Sequence, residues 1–170
     1  TSAIEAFTRY EITEKLEGSS MTVYRLHGEF GVCSRNMDLK EVAGNAFWDV
    51  ARRIGIESKM IDVDEFWDFA IQGELIGPGV QGNIYDLKEC EFRVFDVYNI
   101  QAGEYLKPAD RRALIDRMGL KHVPVLAARA KLKDTLGITD VDGVKAGAVS
   151  YQWLRETVTY QAPNGNWYSD

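Results

Sequence analysis

Two stretches constrain the fold more than any other feature of the chain. SMTVYRLH, residues 20–27, and EFRVFDVYNI, residues 91–100, both alternate polar and apolar side chains. Successive side chains of a strand point to opposite faces, so each run predicts a strand with one buried face. EFGVCSR, residues 29–35, follows the first run at hairpin spacing, with Gly28 near the turn. No strand–helix–strand rhythm of the kind a parallel sheet requires runs through the sequence. The pattern predicts an α+β fold of antiparallel sheets flanked by helices.

The remaining elements fit around that frame. Leu39, Val42, Ala46, Phe47, Val50 and Ile54 fall on one helical face, with Asp38 placed to cap the start and Gly55 to end it. DVDEFWDFA, residues 62–70, is expected to hold a second short helix. QGELIGPGVQGN, residues 72–83, reads as a strand running into a loop rich in glycine. Residues 108–118 predict another helix, with Pro108 at its start and Gly119 at its end. VPVLAA, residues 123–128, predicts a short apolar strand, and LRETVTY, residues 154–160, is β-like, with PNGN forming a turn. Residues 134–150 carry no legible element. The loop at 77–82 lacks the Gly-Lys-Ser/Thr ending of a Walker phosphate loop and the spacing of a dinucleotide-binding turn.

Composition narrows the function classes. No run approaches the roughly 18 apolar residues of a membrane helix. The N-terminal stretch TSAIEAFTRYE has neither the basic start nor the apolar centre of a signal peptide. Two widely spaced cysteines, Cys33 and Cys90, argue against a disulfide framework and for a reducing, cytoplasmic setting. Two histidines, His27 and His122, make a His-rich metal site unlike this chain. With 26 acids against 20 bases the net charge is −6, so binding a polyanion would require bases to cluster. The densest cluster, residues 107–122 with Arg111, Arg112, Arg117 and Lys121, reads as an ordinary solvated helix face.

The chemistry-bearing candidates start with Lys15 in EKLEGSS. A lysine that attacks phosphorus or a carbonyl must be neutral, and the flanking Glu14 and Glu17 favour the charged form. A nucleophilic role therefore needs other bases or a bound cation nearby. Otherwise the segment is a turn with an ion pair. Arg35 and Asn36 lie at the end of the hairpin, Glu74 on the strand leading into the glycine loop, Phe95 and Asp96 within a strand, and Glu156 beside Arg155. Taken singly, Phe95 also reads as core, Glu74 and Glu156 as strand-edge charges, and Arg35 as a surface ion pair worth little.

Together these segments resemble the covalent nucleotidyltransferase superfamily of polynucleotide ligases and mRNA-capping enzymes, in its nick-sealing RNA ligase branch. EKLEGSS resembles motif I, Lys-x-Asp/Glu-Gly. GVCSRN resembles the segment between motifs I and III, QGELIGPGVQGN motif III, FRVFDVY motif IIIa, and LRETVTY motif IV. The resemblance implies an adenylation-domain fold and an ATP-dependent RNA ligase. Lys15 would attack the α-phosphate of ATP to form lysyl-AMP. AMP would pass to a 5′-phosphate end, and a 3′-hydroxyl would displace it and seal the break. By the same resemblance, Glu14, Lys15, Glu17, Gly18, Arg35, Asn36, Glu74, Phe95 and Glu156 would bind the nucleotide. Phe95 would stack on adenine, Glu74 and Glu17 would bind ribose hydroxyls, and Arg35 would contact phosphate or ribose. Glu156 would help hold Mg2+ (or Mn2+). The partners implied are ATP and RNA, or RNA/DNA, ends, with the protein a monomer and free of membranes.

The chain also departs from the family pattern. Thr157 stands where motif IV usually has Gly, Tyr160 replaces its basic residue, and Glu17 stands where Asp is commoner. No lysine pair of the motif V type follows Glu156. In the family such lysines neutralise charge building on the α-phosphate, a large electrostatic contribution. Residues 1–170 are therefore expected to form a single nucleotidyltransferase core, truncated before motif V and lacking an accessory OB-type domain. A module that binds ATP or AMP without completing ligation is the alternative. A DNA ligase or a guanylyl-transferring capping enzyme is a third reading, separable by comparing ATP with GTP as donor.

Overall fold

A computed structural model describes residues 10–130 in full and the backbone of two further strands, at 158–161 and 167–169. In chain order the elements are β1 (Tyr10–Thr13), β2 (Ser19–Leu26), β3 (Glu29–Cys33), β4 (Asp38–Leu39), α1 (Ala46–Arg53), α2 (Ile56–Ile61) and β5 (Phe69–Ile76). Then come β6 (Glu91–Asn99), β7 (Glu104–Tyr105), α3 (Pro108–Arg117), β8 (Lys121–His122), β9 (Val125–Ala130), β10 (Val158–Gln161) and β11 (Trp167–Ser169). The chain divides into two units, one of residues 1–16 with 123–170 and the other of residues 17–122. No helix among the described residues is long and apolar enough to cross a membrane.

The first unit is a four-stranded antiparallel sheet in the order β11-β10-β1-β9. All four residues of β1 are buried, which fits a strand paired on both edges. The second unit carries the long alternating strands. Its sheet runs β4-β3-β2-β5-β6-β7, with β8 beside β6 in the only parallel pairing among the described strands. Alternation sends Met21 and Val23 of β2, Ile71 and Leu75 of β5, and Val94 and Val97 of β6 into one apolar cluster. Trp48 and Val50 of α1 and Leu114 and Ile115 of α3 close the same cluster. Full burial of a side chain such as Ile71 or Leu75 contributes roughly 1.5–3 kcal/mol. This core fixes which face of the sheet is left for other work.

Two element predictions are corrected. The helix predicted from Asp38 starts at Ala46, because Asp38 sits in β4 and its carboxylate accepts a hydrogen bond from the Tyr24 hydroxyl. Asn45 caps the helix instead, its side chain accepting from the backbone N–H of Phe47 and Trp48. The helix expected within 62–70 is absent; α2 ends at Ile61 and β5 begins at Phe69. The reason is Arg25, buried on β2, whose guanidinium donates to the carbonyls of Met60, Phe66 and Trp67. Those carbonyls hold the connection in an irregular path.

Candidate functional site

The face of the second unit's sheet that turns away from its core gathers several of the predicted residues. Register places Ser20, Glu74 and Arg93 in one row across β2, β5 and β6. Between β5 and β6 the register slips: Gly73 pairs with Val94 but Gln72 with Asp96, leaving Phe95 as the extra residue of a bulge. A bulge bends its strand and re-aims a side chain. Phe95 comes out half-buried, two positions from Arg93 and on the same side, while Val94 and Val97 face the core. Gly73 is what the bulge requires opposite it. A Cβ there would lie 2.3 Å from the Arg93 carbonyl oxygen and 2.7 Å from the Phe92 ring.

Gly18 meets the same strand. A Cβ at Gly18 would lie 2.1 Å from the Leu75 carbonyl oxygen and 2.8 Å from Ile76 Cγ2. Only a bare backbone lets the chain run that close to β5 immediately before β2 begins. Next to it, the Glu17 N–H donates to the Tyr85 hydroxyl at 2.7 Å. Tyr85 follows the glycine loop, where Gly77 and Val80 form a bridge and the Val80 N–H donates to the Gly77 carbonyl. Gly77 itself has φ +127°, a value that a side chain would strain. The second unit thus holds Glu17, Gly18 and Glu74 at one end of its sheet.

Arg35 and Asn36 reach that end by a hairpin. β3 runs antiparallel to β2, so Cys33 pairs with Thr22 and the chain beyond it heads toward the Ser20–Glu74 row. The Ser34 N–H donates to the Met37 carbonyl at 2.9 Å and closes the tip, where Arg35 and Asn36 are exposed. Lys15 and Glu14 belong to the first unit. They follow β1, both half-buried, with the Glu14 N–H donating to the Pro124 carbonyl at 2.9 Å. Glu156, the predicted metal ligand, lies outside the described residues. Among the described residues no three His, Cys, Asp or Glu side chains group to hold a metal ion.

Arg93, opposite Glu74, is a candidate that sequence reasoning missed. Its guanidinium donates to Glu91 at 2.7 Å, while its Nε, buried, has no acceptor among the described residues. The sequence carried no signal for it, because its place opposite Glu74 follows from the β5–β6 register. Tyr85 gave none, since nothing in a sequence shows which tyrosine will reach a distant backbone. The reading of the basic cluster as a solvated face is corrected at Arg111, while Arg117 and Lys121 are exposed as expected. Arg111 is 2% exposed, donating to His122 Nε2 at 3.1 Å and lying 3.7 Å from Asp96. Arg117 pairs with Glu65 and Lys121 with Glu91. Lys121, then Arg93, holds the Glu91 carboxyl below the usual carboxylate range against the opposing effect of burial.

The sequence model of the RNA ligase family matches residues 8–157. The chain belongs to the RNA ligase family. Solved structures of Naegleria gruberi RNA ligase agree. A mutant with AMP and Mn is 33% identical, with a TM-score of 0.76 over 96% of this chain and 49% of that one. Another mutant, with ATP and Mn, is 34% identical with a TM-score of 0.75, over 95% and 48%. The Naegleria enzyme with PPi is 34% identical with a TM-score of 0.73, over 95% and 49%. This chain therefore spans about half the length of the solved RNA ligases it matches. No curated protein matches it. The antiparallel sheets and few helices are those of the RNA ligase nucleotidyltransferase fold.

Proposed function

We propose that this chain is the nucleotidyltransferase core of an ATP-dependent RNA ligase. The observation that carries the reading is the outer face of the second unit's sheet: Glu74 and Arg93 share a row, and a bulge displays Phe95 beside them. An aromatic face, a carboxylate and a guanidinium suit the base, sugar and phosphate of a nucleotide. The solved RNA ligases bound to AMP and ATP support the same ligand here.

In the proposed reaction the Lys15 amine attacks the α-phosphorus of ATP. The bond to the β-phosphate oxygen breaks, pyrophosphate leaves, and a lysyl-AMP phosphoramidate remains. A 5′-phosphate of RNA then attacks the AMP phosphorus, freeing the lysine. A 3′-hydroxyl attacks the activated 5′-phosphate, AMP leaves, and the ends are joined. Phe95 stacks on adenine, while Glu74, with Glu17, accepts hydrogen bonds from the ribose hydroxyls. Arg35 and Asn36 bind phosphate or ribose, and Gly18 lets the motif I backbone lie close to β5. Glu156 is the proposed carboxylate for Mg2+ or Mn2+, which when bound would offset phosphate charge and favour a neutral Lys15.

Sealing of a nicked duplex with a 5′-phosphate, with ATP and Mg2+, tests the reading. The protein is expected to seal the nick, and Lys15→Ala to abolish sealing. Saturable ATP binding without sealing or any adduct would instead favour a module that only binds nucleotide. Labelling from GTP in place of ATP would contradict the choice of donor.

A further inference from the structure

Tyr24 crosses β3 to reach an edge strand. It lies directly opposite Gly31, and a Cβ there would sit 2.1 Å from Tyr24 Cζ and 2.2 Å from its hydroxyl oxygen. The tyrosine ring thus occupies the room that the missing side chain leaves over β3. Its hydroxyl donates to the Asp38 carboxylate of β4, 3.0 Å from Oδ1 and 3.1 Å from Oδ2. The Cys33 thiol adds a longer contact to the same carboxylate, 3.7 Å from Sγ to Oδ1.

The strand so gripped is weak by itself. β4 has two residues, paired to β3 as Val32–Leu39 and Cys33–Asp38. The Trp48 indole N–H donates to the Leu39 carbonyl at 2.9 Å and holds one of them. Tyr24 holds the other, Asp38, next to the tip that carries Arg35 and Asn36. Burial, then Asp38, pushes the Tyr24 hydroxyl up to about 12, and burial, then Asp38, pushes the Cys33 thiol up to about 11. Both therefore remain donors at neutral pH.

We propose that Tyr24 and Asp38 are positioning residues that clip β4 to β2 across Gly31 and so fix the hairpin tip presenting Arg35 to the nucleotide. The inference rests on the reading of Arg35 as a nucleotide contact. Its chemistry needs only a hydroxyl donor on one strand and an acceptor on the other.

Tyr24→Phe removes the hydroxyl and leaves the ring over Gly31, so the core is untouched. Two readouts test the proposal. Amide hydrogen exchange across residues 34–39 is expected to speed up in Tyr24→Phe and Asp38→Ala, while Asp38→Asn, which keeps an acceptor, stays near wild type. ATP affinity by calorimetry is expected to fall roughly fivefold in Tyr24→Phe, with no further loss when it is added to Arg35→Ala. Unchanged exchange in Tyr24→Phe overturns the clip. An ATP affinity that falls additively in the double variant overturns the positioning of Arg35, whatever the exchange shows. If Arg35→Ala alone leaves ATP affinity unchanged, the nucleotide role of Arg35 fails, and the positioning inference fails with it. That result is distinct from an intact Arg35 effect with a silent Tyr24→Phe.

Discussion

Gly18 owes its identity to a carbonyl oxygen. The Leu75 oxygen occupies the place where any Cβ would go. Gly18→Ala must move β5 or the motif I backbone, and is expected to destabilise the fold by roughly 1–3 kcal/mol, the usual cost of overpacking. Urea unfolding checks this; a midpoint equal to wild type would show that the segment has slack. The glycine was legible in the sequence through the motif it belongs to. Phe95 was legible as a residue type in a strand, but its bulge was not. A register slip is decided by which backbone approaches Gly73, and no local pattern encodes that. Arg111 was misread for a related reason. Surface helices usually show their arginines to water, whereas this one is drawn inward beside Asp96 and His122.

At the scale of elements, period-2 alternation located β2 and β6 closely because each has one face in the apolar cluster, and hairpin spacing located β3, whereas β5, read from residue 72, starts at Phe69. Helix α3 was equally legible, with Pro108 opening it and Gly119 just beyond its end. The misplaced start of α1 has a plain cause. Asp38 has the chemistry of a cap, but Tyr24 and Cys33 already claim its carboxylate. The irregular path before β5 was illegible because it depends on Arg25, some 35 to 42 positions away in the chain. The β6–β8 junction offers an element-scale test. Glu91, at the start of β6, accepts from Lys121 of β8 and from Arg93, and its carboxyl is held low. A carboxylate whose folded pKa is depressed contributes stability above its unfolded value of about 4.3 and loses it as pH falls through the folded value. Urea midpoints measured from about pH 6 down to about pH 3 are expected to fall less steeply in Glu91→Gln than in wild type. Parallel curves would contradict a stabilising junction.

For the whole molecule, the second unit's sheet is a two-faced frame. One face is spent on the core, and the other displays Glu74, Arg93 and Phe95 within a register fixed by β2, β5 and β6. The fold class followed from the sequence because antiparallel hairpins leave a strong alternating signal. The division at Leu16 and Val123 did not, since it falls between neighbours in the chain and leaves no mark of composition. The net charge is −6, and Arg117 and Lys121 are each paired with a glutamate. The family match and the solved relatives agree with the RNA ligase fold read from the sequence.

Intact mass after incubation with ATP and Mg2+ tests the central claim most directly. The account predicts a gain equal to one AMP, absent in Lys15→Ala. An adduct that persists in Lys15→Ala, or no adduct on a protein that binds ATP, would contradict Lys15 as the nucleophile.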